Sequence, residues 1–143
     1  MFLHAIARRD AFAQAMADAG LPPGQIVTGD FTAAGGQEAT HRLLTGEDRP
    51  TAIVYANDVM ALSAIAVAAE LGLRIPEDLS ITGYDDTTLA GYVHPALTTV
   101  RADARSWGEA AATTLLALVD GQEVADTTLP PAELILRRST SAH

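Results

Sequence analysis

Two hydrophobic periodicities alternate along this 143-residue chain. Apolar side chains recurring every third or fourth residue predict amphipathic helices, and unbroken β-rich apolar runs predict buried strands. Phe12, Ala15, Met16 and Ala19 fall at helical spacing within residues 9–19, and Gly20-Leu21-Pro22-Pro23 stops that helix. Residues 25–29 (QIVTG) predict a short strand ending at Asp30-Phe31. Residues 34–44 predict a helix with Ala39, Leu43 and Leu44 inward, closed by Gly46. The run 51–56 (TAIVYA) predicts a strand buried on both faces. Asn57 then caps a long helix over 58–71, where Asp58 complements the positive helix end. Residues 79–84 (LSITGY) predict the next strand, followed by Asp85-Asp86. Residues 98–101 are extended, 105–119 form a second long helix, and 134–138 (LILRR) form a last strand. Only residues 120–131 read as a flexible connection. Helices alternating with apolar strands imply an α/β fold in three layers, a mainly parallel sheet with helices on both faces.

Length and composition narrow this picture. A chain of this size forms one core-bearing domain. It has no Cys, so disulfides and thiolate metal sites are excluded, and its four His are too dispersed for metal ligation. His4, His41, His94 and His143 are expected at the surface. No apolar run approaches the length of a membrane span. The opening nine residues are too short, and their charges wrongly placed, for an export signal. The net charge is −9 and all nine bases are Arg. Such an acidic surface repels phosphate backbones, so nucleic acid is not expected to bind this chain by itself. The absence of Lys removes Schiff-base chemistry. No cofactor or metal is predicted, and a cytoplasmic location is expected.

In open parallel sheets, ligands bind beyond the carboxyl ends of the strands. Three strand ends here carry polar or aromatic groups: Asp30-Phe31, Asn57-Asp58 and Asp85-Asp86. Ordinary turn chemistry also places polar residues there. Asn57 suits a helix cap, Asp58 a first-turn acid, and Phe31 a loop residue folded onto the core. Asp85 and Asp86 resemble a catalytic pair, but neighbours in extended backbone point to opposite sides. One should brace the loop while the other faces the cleft. Gly35-Gly36 lacks the spacing and the Lys of a phosphate loop. No Ser/His/Asp elbow is present, and a phosphoacceptor site of the receiver type would need a Lys.

Residues 51–61 (TAIVYANDVMA) resemble a stretch of the LacI/GalR family of bacterial transcriptional regulators, PTAI-x-x-x-ND-x-x-A. Residues 72–86 (GLRIPEDLSITGYDD) are similar to the family's G-x-x-[IV]-P-x-D-[IL]-S-[IV]-x-G-[FY]-D-[DN], and 95–100 (PALTTV) to P-x-LTT-[VI]. Gly108 and its helix also agree. Arg8 to Phe12 matches R-x-x-G-[FW] with Ala11 in place of Gly. The resemblance covers almost the whole chain.

It implies the C-terminal effector-binding portion of a periplasmic-binding-protein-like core of type I. Residues 1–101 and 132–140 would form the C-terminal lobe, and 102–131 a crossover segment with a helix that packs in the other lobe. The positions matching the family's effector contacts are Arg8, Phe31, Asn57 and Asp85. A carboxylate accepts adjacent hydroxyls, Arg donates in a fork, Asn does both, and Phe31 lies on a sugar's apolar face. A sugar or sugar-like effector is expected, with nucleobases and nucleosides, which the family also binds, served by the same groups. Ala102 and Ala104 imply few side-chain contacts from the crossover. The helix-turn-helix that binds operator DNA, most of the first lobe and the first strand of the second lobe would lie outside this chain. Residues 1–6 would then have to replace that strand, a partner would have to swap one in, or stability would suffer. A homodimer, no membrane contact and no catalysis are implied. A sugar transporter's solute-binding protein and an enzyme built on the acidic strand ends are the rival readings. The stripe Trp107, Ala111, Leu115 and Leu118 would be left as an apolar patch.

Overall fold

The computed structural model describes residues 3–141. In chain order it contains α1 (Leu3–Asp18), α2 (Ala33–Leu44), β1 (Ala52–Val54), α3 (Asp58–Glu70), β2 (Ser80–Thr82), a 3-10 turn (Thr88–Gly91), β3 (Thr99–Arg101), α4 (Ala104–Val119) and β4 (Glu133–Ile135). The alternation is that of an α/β fold. β1 pairs with β2 in parallel, Ala52 opposite Ser80 and Val54 opposite Thr82. A parallel bridge from Thr82 to Thr98 carries the ladder to the residue before β3. β3 pairs antiparallel with β4, Arg101 facing Glu133. The tail threads between the two halves: Ile81 N–H donates to Ser139 O at 2.8 Å, and the buried Ser139 hydroxyl donates to Ile81 O at 2.7 Å.

The starts of α2, α3 and α4 have a local cause. Thr32 Oγ1 accepts from Gly35 N–H at the head of α2, and Asn57 Oδ1 accepts from Met60 N–H at 2.9 Å at the head of α3. Asp103 caps α4 through Ser106, its Oδ1 accepting from the amide and its Oδ2 from the hydroxyl. The core lies between α2, α3 and one face of the strands: Leu43, Leu44, Ile53, Tyr55, Met60, Ala61, Ala64, Val67, Leu79, Ile81 and Leu97. α2 approaches α3 closely because residue 36 is glycine. A Cβ there would stand 2.7 Å from the Met60 Cα and 2.6 Å from the Ser63 hydroxyl. A buried polar pair between these layers is satisfied, the Thr40 and Tyr55 hydroxyls meeting at 2.7 Å.

Four expectations are corrected. Residues 25–29 are not a strand, since β1 is paired only on its β2 side and nothing among the described residues offers this segment a ladder. β1 is not buried on both faces: Ile53 is buried, whereas Val54 is 62% exposed, because α2 and α3 cover one face only. Leu3 to Ile6 do not substitute for a strand but open α1, six residues ahead of the expected start; Met1 and Phe2 lie outside the described residues. Asp85 and Asp86 are not extended, with φ of 118° and 51°.

α4 buries none of its residues, and Trp107, Leu115, Leu116, Leu118 and Val119 are exposed. His4, His41 and His94 are exposed, and His143 lies outside the described residues. No described helix is long and apolar enough to cross a membrane.

Candidate functional site

The four residues singled out by the sequence come from four separate segments, and the fold draws them to one end of the strands. Arg8, midway along α1, donates from Nη1 to Ala56 O at 2.8 Å, directly beside Asn57. Its guanidinium also lies over the Tyr84 ring, 4.3 Å from the centroid, directly beside Asp85. A single cation thus stands at the ends of both β1 and β2. Asn57 uses both halves of its amide. Oδ1 caps α3, while Nδ2 donates to Phe31 O at 2.9 Å and so ties the loop before α2 to the head of α3.

Phe31 and Asp85 have left-handed backbone, φ 66° and 118°. Neither is glycine, so each conformation costs about 1–3 kcal/mol and persists only where neighbours impose it. Phe31 is held by the bond from Asn57, and its ring stands 6.3 Å from that of His4. Asp85 is held through its amide, which donates to Val100 O at 2.9 Å. Such strain gathers where side chains must be presented rather than packed. The Asp85 carboxyl is raised above its ordinary value by loss of water, with the charge of Asp58 pushing the same way and Arg8 pulling it back.

Three contributors have partners that the sequence does not signal. Asp58 sits in the first turn of α3, as a dipole-stabilising acid would, yet it is fully buried. Its Oδ2 accepts from Thr87 N–H at 2.7 Å and from the Thr87 hydroxyl at 3.1 Å, and its Oδ1 accepts from the Thr99 hydroxyl at 2.5 Å. It therefore fastens the head of α3 to the turn after β2 and to β3. The same crowding requires glycine at 83, where a Cβ would collide with Asp58 Oδ1. Tyr84 carries Arg8 on its face, a partnership of residues 76 positions apart. Asp86 braces the turn while Asp85 faces outward. Burial pushes its carboxyl up, but hydrogen bonds and charges from Arg137 and Arg101 together outweigh this and hold it below the usual carboxylate range. Arg137 and Arg101 lie 51 and 15 residues from Asp86, and no sequence spacing signals such a fork.

Among the described residues no cluster of three or more His, Asp or Glu could hold a metal ion. Two open depressions, of about 370 Å³ around Arg101–Ala104 and about 320 Å³ beside Gly29 and Arg42, take in none of Arg8, Phe31, Asn57 or Asp85. Those four bring donors, acceptors and an aromatic residue to one end of the strands. Such a set suits a small polyhydroxylated molecule clasped from the other side as well.

Residues 3–140 match the periplasmic binding protein-like domain. The chain is 40% identical over 137 residues to the HTH-type transcriptional repressor PurR of Yersinia pestis (strain Pestoides F), covering 94% of this chain and 40% of that protein. A LacI family transcriptional regulator from Bifidobacterium animalis subsp. lactis superposes with a TM-score of 0.90 at 41% identity, covering 96% of this chain and 51% of that one. The lac repressor dimer bound to operator and the anti-inducer ONPF superposes with a TM-score of 0.83 at 36% identity, covering 90% and 45%. The chain spans about two fifths of the length of the curated relatives it matches.

Proposed function

Because the chain belongs to the periplasmic binding protein-like domain family, in the form found in LacI/GalR-type regulators, we propose that it binds a small polar effector and dimerises on behalf of such a regulator. The effector is a sugar or a sugar-like molecule, nucleosides included. It rests against Arg8, Phe31, Asn57 and Asp85, with no catalytic step. The observation that carries this reading is the convergence of those four residues, two of them on left-handed backbone, at one end of the strands.

Each has a stated role. Ionised Asp85 accepts from vicinal hydroxyls, and the outer guanidinium edge of Arg8 donates to ring or hydroxyl oxygens. Asn57 orders the Phe31 loop, and the ring covers an apolar sugar face. Residues 1–101 and 132–140 act as one lobe. Residues 102–131 cross to a second lobe, where the exposed apolar side chains of α4 are covered. Operator DNA is bound by a helix-turn-helix beyond this chain, and the regulator acts in the cytoplasm. The relatives reported above are regulators, which favours this reading over a transporter's solute-binding protein.

Isothermal titration with D-ribose, D-galactose, D-glucose, sucrose, adenosine and guanosine tests it. One of these is expected to bind. Asp85→Ala should weaken that binding by at least about ten-fold, the loss of one charged hydrogen-bonding partner, with an unchanged far-UV spectrum. No heat with any of them, or full affinity in Asp85→Ala, would contradict the reading.

A further inference from the structure

The crossover to α4 leaves along β3 and returns along β4, and one buried carboxylate grips both passages. Asp86 Oδ2 accepts from Arg101, at 2.7 Å from Nε and 2.6 Å from Nη2, at the end of the outgoing strand. Asp86 Oδ1 accepts from Arg137 Nη2 at 2.6 Å, two residues past the returning strand. Arg101 also faces Glu133 of β4 at 3.7 Å, and Arg137 Nη1 donates to Leu97 O at 2.8 Å ahead of β3. The Asp86 side chain is 8% exposed and that of Arg137 is 20% exposed, so this half of the fork is mostly sheltered from water and from salt screening, while Arg101 is half exposed. Its backbone is left-handed and directly follows Asp85. Any rotation of β3 and β4 about the crossover must therefore move Asp86 or break the fork, and moving Asp86 turns the peptide that aims Asp85.

We propose that Asp86 is the positioning residue that couples the ligand-facing turn to the orientation of the crossover strands, and hence of α4. This rests on Asp85 belonging to the ligand face. The coupling is reciprocal: ligand held by Asp85 restrains the crossover, and a restrained crossover presents Asp85 in its binding attitude.

Trp107, the one tryptophan of the chain, sits in the first turns of α4 and reports the motion of that helix. Time-resolved anisotropy of Trp107 in the full chain should show wider local motion in Asp86→Asn and in Arg137→Gln. The double variant should add little to either. The control Arg74→Gln, which removes the exposed pair with Asp78, should leave Trp107 unchanged. In the titration series above, Asp86→Asn should lower affinity by about ten-fold or more, within the range of typical coupling free energies. If Asp86→Asn does not fold, Arg101→Gln removes the outer half of the fork and reads the same two quantities. Unchanged Trp107 motion in a folded variant would overturn the proposal, as would unchanged affinity. If the wild-type chain binds no sugar or nucleoside, the proposed function fails on its own, and the Trp107 comparison still decides the role of Asp86.

Discussion

Asp58 offers a quantitative choice between two physical roles. As a first-turn acid it would stabilise α3 through the helix dipole by about 0.3–1 kcal/mol. The structure instead buries it fully and gives its carboxylate three hydrogen bonds, from Thr87 N–H, the Thr87 hydroxyl and the Thr99 hydroxyl. Hydrogen bonds to a charged group contribute about 1.5–3 kcal/mol each, and donors left unmet in the interior cost a similar amount. Because the turn can relax and water can enter, these do not sum fully. Asp58→Ala is therefore expected to cost about 3–5 kcal/mol, a large share of the 5–15 kcal/mol typical of a domain. Asp58→Asn keeps an oxygen for Thr87 and turns its amide toward Thr99, whose hydroxyl can rotate to accept, so about 1–2 kcal/mol is expected. Urea unfolding followed by far-UV circular dichroism measures both, provided the m-value is unchanged. The Asn variant also removes a charge that raises Asp85, so the Asp85 carboxyl should titrate lower, as carboxyl NMR would show. An Ala variant costing less than about 1 kcal/mol would return Asp58 to the dipole role and refute the hub.

Three further outcomes are expected. Gly36→Ala puts a methyl group against the Met60 backbone and should destabilise by about 1–3 kcal/mol in the same urea assay, since backbone cannot step aside as a flexible side chain can. Effector affinity should fall as pH drops through the Asp85 pKa, which lies above the ordinary 3.8, because the ionised form accepts from hydroxyls through both oxygens and more strongly than the neutral acid; titrations between pH 7 and 4 follow this fall, and Asp58→Asn should move it down. Burial pushes the Tyr55 hydroxyl up to about 12 against the partial relief of its bond to Thr40; the unfolded chain ionises first, so stability should fall from pH 10 to 12 by roughly 2–3 kcal/mol. The same slope in Tyr55→Phe would refute that assignment.

Elements governed by local chemistry were legible in the sequence. Asn57 before an apolar helix and Leu43-Leu44 at the inward end of α2 need only their neighbours to be understood. The family resemblance singles out Arg8, Phe31, Asn57 and Asp85, and the fold gathers them at one end of the strands. What the pattern misjudged depends on partners. QIVTG has strand chemistry but no ladder to join, and Val54 has a buried residue's chemistry on a face that no described helix covers. A carboxylate such as Asp58 or Asp86 is read from sequence only as a first-turn acid or as one of a pair that braces a loop. Its role emerges only when Thr99, Arg101 and Arg137 arrive from residues far along the chain.

The central claim is that Arg8, Phe31, Asn57 and Asp85 make one ligand face. Amide shift mapping by NMR, during titration with whichever sugar or nucleoside binds, tests it most directly. The largest shifts are expected at Phe31, Asn57 and Asp85 with the Arg8 side chain, spreading through Asp86 toward β3 and β4. Shifts centred on the depression around Arg101–Ala104, with those four residues unmoved, would contradict it.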